Sequence, residues 1–322
     1  MDTNGNLYGA YRNGFYELKY GFGHHHNKWQ AFDLSVTCSQ QNSGTENIGG
    51  LTDAGQSSGA PYDGVSPLYG AANTGGANNA GTVFSLTPNG GQWTQTVLYN
   101  FCSQKNCTDG LNPAGGVILD AGGNLFGLTF EGGNNFLNVG AGVAYELSAS
   151  GGSWNETVLY RFCSVDNCAD GALPLGDLVS DSAGTLFGTT TAGGGNCKAG
   201  KNGCGVIFSL APTGQNSVET VLHAFCAKRQ CRDGAFPASG LSIDSSGNLY
   251  GTTAGNGPEG DVLFELSGPT YQVLHSFCSL AGCLDGEEPL ARPIIGPDGN
   301  LYGTTFAGGT GSDNGTVFKY TR

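Results

Sequence analysis

A short phrase reading G-N-L-Y-G-T-T, or a close variant of it, occurs six times in the 322 residues of this chain. The intervals between successive copies are 61, 57, 61, 63 and 52 residues. The leucines that mark the copies are Leu7, Leu68, Leu125, Leu186, Leu249 and Leu301. Recurrence at this spacing is typical of a chain built from repeated structural units, each of which buries its apolar face against the next. The repeat therefore constrains the fold more than any other feature of the sequence.

Each unit contains four short apolar segments separated by turn residues. In one complete unit they are Pro113–Leu119, Leu125–Thr129, Val143–Leu147 and Thr157–Phe162. Short apolar segments bounded by Gly, Asn and Asp predict β-strands, and no longer window has the periodicity of a helix. We name the strands A, B, C and D in this order. Four strands in a repeat of this length are typical of a propeller blade.

The sequence thus predicts an all-β fold, a β-propeller with six blades of four antiparallel strands. Counting gives six B, six C, five A and five D strands, so that the first blade lacks A and the last lacks D. A propeller of five blades with spare terminal strands is the alternative. We treat residues 1–322 as one domain with repeats at approximately 1–37, 38–101, 102–162, 163–225, 226–277 and 278–322.

The charge and composition of the chain restrict its partners. The net charge is -13 and no basic stripe is present, which argues against binding to nucleic acid or to an anionic membrane. No apolar run is long enough to span a membrane. We expect a monomer in the extracellular space, in the periplasm or on the cell surface, although the printed sequence contains no export signal.

The eleven cysteines indicate an oxidising compartment. Four pairs share the spacing C-x4-C, a fifth local pair has a longer spacing, and Cys38 is left over. The pairs are Cys102/Cys107, Cys163/Cys168, Cys226/Cys231, Cys278/Cys283 and Cys197/Cys204. Zinc is the rival interpretation, but it would need two such pairs to converge, and the C-x4-C pairs fall one per repeat. We therefore predict disulfides closed within each repeat.

Two segments carry a resemblance to a known family. Pro237–Thr253, P-A-S-G-L-S-I-D-S-S-G-N-L-Y-G-T-T, and the G-T-V-F of Gly315–Phe318 resemble the GloVer-type (Gloeobacter/Verrucomicrobium) tandem repeat of bacterial extracellular proteins. This resemblance covers nearly the whole chain and implies export, but no particular chemistry. The phrase that joins strands A and B is also similar, over a shorter stretch, to NHL and gluconolactonase-type propellers. That similarity implies that strand A is innermost and lines the channel.

The loops between strands D and A contain C-x-D-G four times. Their aspartates are Asp109, Asp170, Asp233 and Asp285. A set of aspartates at the mouth of a channel would suit Ca²⁺, which prefers oxygen ligands. The alternative is that each aspartate caps its own loop by accepting hydrogen bonds from backbone N–H groups.

The residue before the proline of strand A differs between repeats. It is Asn112, Leu173, Phe236 or Glu288, and the degenerate first loop offers Glu46 nearby. We interpret Glu46, Asn112 and Glu288 as Ca²⁺ ligands and the two apolar residues as a wall for the substrate. Similarity to propeller lactonases implies that calcium polarises a lactone carbonyl. Either a carboxylate, Glu288 or Glu46, or a metal-bound water then performs the hydrolytic step. Ordinary variation among surface loops is the alternative.

Two functions remain open from the sequence. The first is a calcium-dependent hydrolase of lactones such as acyl-homoserine lactones. The second is a non-catalytic surface module that binds glycans or proteins through its loops, although only Phe130, Phe136 and Phe306 offer aromatic platforms there. His223 and His275 share a strand D position with tyrosines, and we predict that they are packing residues.

Overall fold

The computed structural model describes residues 1–11, 14–20, 29–38, 49–55, 59–195, 197, 202–213, 216–255, 261–310 and 314–322. These residues form six β-sheets, and their only helices are short 3-10 turns. The sheets are the six blades of a β-propeller, which confirms the predicted fold class. No helix in the described part of the chain is long and apolar enough to cross a membrane.

The first three blades contain strands β1 to β11. Blade 1 has β1 (Leu7–Tyr11), β2 (Gly14–Tyr20) and β3 (Trp29–Asp33). Blade 2 has β4 (Val36–Cys38), β5 (Leu68–Ala72), β6 (Thr82–Asn89) and β7 (Gln92–Asn100). Blade 3 has β8 (Leu111–Leu119), β9 (Leu125–Glu131), β10 (Val143–Ser150) and β11 (Ser153–Arg161).

The last three blades contain strands β12 to β23. Blade 4 has β12 (Ala172–Pro174), β13 (Val179–Ser180), β14 (Leu186–Ala192), β15 (Val206–Thr213) and β16 (Asn216–Ala224). Blade 5 has β17 (Ser242–Ile243), β18 (Leu249–Thr253), β19 (Val262–Ser267) and β20 (Thr270–Ser276). Blade 6 has β21 (Ile294–Ile295), β22 (Leu301–Thr304) and β23 (Val317–Tyr320).

The chain divides into two compact units. The first contains Met1–Gly133 and Gly142–Leu159, and the second contains Asn134–Ala141 and Tyr160–Arg322. Blades 1 and 2 and most of blade 3 belong to the first unit, and blades 4 to 6 belong to the second.

In every blade the glycine of the strand B phrase, L-Y-G in four repeats and L-F-G in two, lies opposite an aromatic residue of strand C. The pairs are Gly9–Tyr16, Gly70–Phe84, Gly127–Tyr145, Gly188–Phe208, Gly251–Phe264 and Gly303–Phe318. A Cβ atom built on Gly251 would lie 2.4 Å from the Cζ atom of Phe264, and the other five pairs are similarly close. A glycine is required here because the aromatic ring occupies the space of a side chain.

The same aromatic residue also joins one blade to the next. The phenylalanine that follows strand D packs edge-on or tilted against it from the preceding blade. The pairs are Phe101–Tyr145, Phe162–Phe208, Phe225–Phe264 and Phe277–Phe318, with ring centroids 5.0, 4.9, 5.5 and 5.1 Å apart. All four of these phenylalanines are buried. The core between blades is therefore a repeated stack of glycine, aromatic ring and phenylalanine.

The A segments of successive blades approach one another closely inside each unit. A Cβ atom on Gly176 would lie 2.3 Å from the amide nitrogen of Gly240, and one on Gly49 would lie 1.8 Å from that of Gly116. Only glycine permits backbones to come this close. Blades converge at their inner strands, so this packing agrees with the expectation that strand A is innermost.

Blade 2 departs from the predicted plan among the described residues, because an isolated bridge between Thr52 and Tyr69 stands in place of strand A and strand β4 is added. Strand β4 pairs in parallel with β7, with Val36 opposite Trp93 and Cys38 opposite Gln95. The segment lies between two repeats, and its sequence V-T-C favours an extended conformation. It covers the free edge of strand D in blade 2, which the repeat pattern alone does not reveal.

Replacement of Gly251 by alanine is expected to lower the free energy of unfolding by about 1–3 kcal/mol, because the new methyl group overlaps the ring of Phe264. Gly50→Ala is the matched control, since a Cβ atom there meets nothing within 4 Å. Thermal denaturation of both variants measures the effect. Equal melting temperatures would contradict this account of the blade core.

Candidate functional site

Four of the loops between strands D and A are small disulfide-closed rings. The structure contains Cys102–Cys107, Cys163–Cys168, Cys226–Cys231 and Cys278–Cys283, together with Cys197–Cys204. The predicted pairing within repeats is therefore confirmed. Each C-x4-C loop also contains a 3-10 turn, at Lys105–Cys107, Asp166–Cys168, Arg229–Cys231 and Ala281–Cys283.

The aspartate of each C-x-D-G phrase caps its own loop. Asp109 accepts hydrogen bonds from the backbone N–H groups of Ser103 at 2.8 Å and Gln104 at 3.2 Å. The same pair of amides binds Asp170, Asp233 and Asp285 in their loops. These bonds satisfy orphan backbone donors, as expected of Asp in a turn. The four aspartates predicted as possible calcium ligands therefore cap their own loops by accepting backbone hydrogen bonds.

A side chain of strand D contacts the same carboxylate in each blade. It is a tyrosine hydroxyl in two blades and an imidazole nitrogen in two others. The contacts are Tyr99–Asp109 at 2.8 Å, Tyr160–Asp170 at 2.7 Å, His223–Asp233 at 3.5 Å and His275–Asp285 at 3.2 Å. The histidines therefore take the structural place of the tyrosines, in line with the packing role predicted for them.

The residue before the proline of strand A has left-handed backbone in all four complete loops. The φ angles are 54° at Asn112, 55° at Leu173, 55° at Phe236 and 53° at Glu288. Leucine and phenylalanine rarely adopt this conformation. The fold of the repeat therefore fixes the left-handed backbone conformation at this position, whereas the side chain differs between repeats.

The backbone amide at this position has the same type of partner in three blades. The N–H groups of Asn112, Leu173 and Phe236 donate to main-chain carbonyl groups just before strand C of the preceding blade. The acceptors are the carbonyl oxygens of Ala80, Ala141 and Cys204, at 2.8, 2.8 and 2.9 Å.

The fourth loop departs from this arrangement. The N–H group of Glu288 donates to the side-chain oxygen Oδ2 of Asp261, at 2.9 Å. Asp261 immediately precedes strand C, where other repeats have a glycine: Gly81, Gly142, Gly205 and Gly315. Blade 5 thus has a carboxylate at a position where four other repeats have no side chain. This carboxylate accepts a hydrogen bond from Glu288, the residue predicted above to be a calcium ligand and a catalytic base.

Asp261 is fully buried, with 0% of its surface exposed. Its second oxygen, Oδ1, has no hydrogen-bond partner within the described ranges. Burial is the main cause that raises the pKa of Asp261 to about 6. The N–H groups of Glu288 and Gly255 act in the opposite direction, and the charges of Glu287 and Glu288 add a smaller upward contribution. A buried, half-satisfied carboxylate next to two acidic residues is costly for the fold, which is the usual sign of a functional site.

The other predicted site residues have separate environments. Asn112, in the first unit, donates from Nδ2 to Oε2 of Glu131 at 2.8 Å. Leu173 and Phe236 are half-buried, and Phe236 packs against the core between blades 4 and 5. Glu46 lies outside the residues that the structure describes. The structure therefore brings Glu288 into contact with Asp261, which the sequence analysis did not identify. The signal in the sequence was an aspartate at a position where four other repeats have glycine.

A second carboxylate, on a half-buried residue, belongs to strand D of blade 4. Glu219 lies opposite Leu210 of strand C, at the position that Gln95 occupies in blade 2 and Tyr271 in blade 5. Its Oε1 atom is buried without a hydrogen-bond partner in the part of the chain that the structure covers. Burial, with a smaller contribution from the charge of Asp170, raises the pKa of Glu219 to about 7.

This raised pKa predicts a dependence of stability on pH. Protonated Glu219 favours the folded state, so its contribution is full below the unfolded pKa of about 4.5 and is lost as the pH rises through about 7. Glu219→Gln should therefore stabilise the protein at pH 8, by up to about 2 kcal/mol, and change little at pH 4. Denaturation curves at both pH values provide the test, and a variant that is no more stable at pH 8 would contradict the assignment.

The chain matches the sequence profile of one known protein family. The profile of the Gloeobacter/Verrucomicrobia repeat matches residues 1–261 and 196–322. No curated protein sequence matches the chain.

Two solved structures are similar in fold. One is a candidate oxidoreductase (glucose dehydrogenase) from Thermus thermophilus, with 17% identity, a TM-score of 0.52 and coverage of 98% of this chain and 93% of that one. The other is a candidate 6-phosphogluconolactonase from Bacteroides uniformis, with 16% identity, a TM-score of 0.51 and coverage of 98% and 81%. At these identities the likeness shows the fold alone.

Proposed function

We propose that this chain, which belongs to the Gloeobacter/Verrucomicrobia repeat family, is an extracellular hydrolase that opens lactones with the help of a calcium ion. The five disulfides support a location outside the cytoplasm. The chemistry is assigned from the residues of the second unit, since the similar propellers share only their fold with this chain.

The observation that carries the proposal is the buried carboxylate of Asp261. Its Oδ1 atom has no hydrogen-bond partner among the described residues, and the negative charges of Glu287 and Glu288 lie near enough to disfavour its ionisation. A bound cation would remove both costs. Ca²⁺ fits this donor set because it prefers carboxylate and carbonyl oxygens and accepts water to complete its coordination.

The residues have distinct parts in this proposal. Asp261 and Glu288 supply carboxylate oxygens to the ion, and the hydrogen bond between them fixes their relative position. When bound, Ca²⁺ would polarise the ester carbonyl of the lactone as a Lewis acid. The water oxygen bonds to the carbonyl carbon while Glu288 accepts a proton from that water. The ring C–O bond then breaks, and Glu288 returns the proton to the leaving oxygen to give the hydroxy acid.

Removal of either carboxylate should abolish both metal binding and turnover. Asp261→Asn retains an acceptor for the Glu288 amide but loses the charge, and Glu288→Gln is its counterpart. We expect at least a hundredfold loss of lactone hydrolysis, measured by titration of released acid with acyl-homoserine lactone and δ-valerolactone. Metal analysis of the purified protein, with turnover before and after EDTA, completes the experiment.

Asp166→Asn is the control, because it removes the same charge from an exposed position in the second unit. It should leave metal content and hydrolysis unchanged, and circular dichroism should show that all three variants keep the fold of the unchanged protein. Turnover that survives EDTA and both site substitutions would refute the enzyme proposal.

A binding module is the second candidate, and one observation favours it. The side chain of Phe306 is 69% exposed, and its N–H group donates to the carbonyl oxygen of Glu288 at 2.9 Å. An exposed aromatic ring beside carboxylates suits a sugar, whose apolar face stacks on the ring while its hydroxyl groups donate to the acids. Oligosaccharide binding that is lost in Phe306→Ala, in a protein that hydrolyses no lactone, would favour this function.

A further inference from the structure

Two disulfides meet beside the junction between blades 4 and 5. One is Cys197–Cys204, in the loop between strands B and C of blade 4, and the other is Cys226–Cys231, in the loop that follows strand D of that blade. The sulfur atoms of Cys197, Cys204 and Cys226 all lie within 4.8 Å of one another. All four cysteines belong to the second unit and pack against one apolar core.

Blade 3 shows why these two loops lie side by side. There the side-chain amide of Asn134, in the loop between strands B and C, donates to the carbonyl oxygen of Phe162 at 3.1 Å, just before the C-x4-C loop. In blade 4 the residue in place of Asn134 is Gly195, since each follows a pair of glycines. Glycine has no amide to offer, and the Cys197–Cys204 disulfide of this loop instead brings sulfur close to Cys226.

The four cysteines differ in their exposure to solvent. Cys197 and Cys226 are half-buried, whereas Cys204 and Cys231 are buried, with 1% and 6% of their surface exposed. A thiol from solution therefore reaches the first member of each pair more easily than the second. A thiolate that attacks one sulfur of a disulfide releases the other. Attack on Cys197 thus releases the sulfur of Cys204 inside the core, within reach of Cys226.

We propose that Cys197 is an acceptor site for a small thiol, and that Cys204 and Cys226 make the addition persist. In the first step the thiolate bonds to the sulfur of Cys197, the Cys197–Cys204 bond breaks, and its electron pair stays on Cys204. In the second step Cys204 bonds to the sulfur of Cys226, the Cys226–Cys231 bond breaks, and Cys231 takes up the proton that the small thiol lost. The number of disulfides is the same before and after, so neither an oxidant nor a reductant is consumed.

The loop after strand D of blade 3 is the comparison within the chain. Cys163 is half-buried and Cys168 is buried, as in blade 4. Among the described residues, however, the sulfurs of this disulfide form no such group with a third sulfur. A thiol that adds to Cys163 is therefore expelled again when the sulfur of Cys168 returns. In blade 4 the released sulfur is held by Cys226, so the thiol remains on Cys197 and a new link joins the two loops.

The experiment treats the full chain with glutathione and quenches the reaction with N-ethylmaleimide, which blocks free thiols. Mass spectrometry of a non-reduced tryptic digest then locates each modification and each linkage. Trypsin separates the members of both pairs, because it cleaves after Lys198 and Lys201 in one loop and after Lys228 and Arg229 in the other.

Three products are expected together in the unchanged protein. They are glutathione on Cys197, a Cys204–Cys226 linkage and N-ethylmaleimide on Cys231. Glutathione on the peptide that contains Cys163 should be about tenfold less abundant, because the local disulfide closes again. This measurement needs no variant, so it stands even where a cysteine substitution impairs folding.

Two double variants separate the steps. Cys226→Ser with Cys231→Ser removes the second disulfide, so the yield of glutathione on Cys197 should fall about tenfold. Cys163→Ser with Cys168→Ser removes a disulfide of the same spacing and should leave that yield unchanged.

Several results would overturn the proposal. They are the absence of glutathione from Cys197 or of the Cys204–Cys226 linkage in the unchanged protein, and glutathione found mainly on Cys226. Equal yields on Cys197 with and without the second disulfide would also overturn it, and so would an equal loss in both double variants.

Discussion

The structure depends on the contact between the glycine of strand B and the aromatic ring that lies over it. In Gly251 and Phe264, as in each other blade, the ring fills the volume that any side chain would need. Phe225 then presses on the same ring from the preceding blade, at a centroid distance of 5.5 Å. One aromatic residue thus holds its own sheet and the neighbouring blade together. This explains why the glycine of the phrase L-Y-G or L-F-G is present in all six repeats, while the loops vary in length and composition.

Much of the fold can be predicted from the sequence, because the same pattern of apolar segments and turn residues occurs six times. The B, C and D strands and the disulfides follow from segments whose neighbours in the chain are also their neighbours in space. Strand A of blade 2 does not follow: the described residues there make only an isolated bridge, between Thr52 and Tyr69. Strand β4 does not follow, because its parallel pairing with β7 joins segments that no repeat relates.

The candidate site shows the limit of the same reasoning. The sequence directed attention to Glu288 because its position varies between repeats, and to Asp109 and its equivalents because theirs does not. The invariant aspartates bind the amides of their own loops, as an invariant structural residue should. Asp261 was not predicted as a site residue, because the replacement of one glycine by aspartate is a small change in the sequence. Its burial and the lack of a hydrogen-bond partner for Oδ1 among the described residues depend on the folded structure.

The disulfide-capped loops have a consequence for how such a chain changes in evolution. Each loop of the C-x4-C type draws its covalent closure and its capping bonds from residues within one short segment, from Cys102 to Asp109 in the first of them. A duplicated or deleted repeat would carry its connector with it, and the new junction would present the same aromatic surfaces as the old one. Stability in such arrays is set by each unit and its nearest neighbours. Blade number can therefore drift between related chains through recombination, without any redesign of the parts that remain.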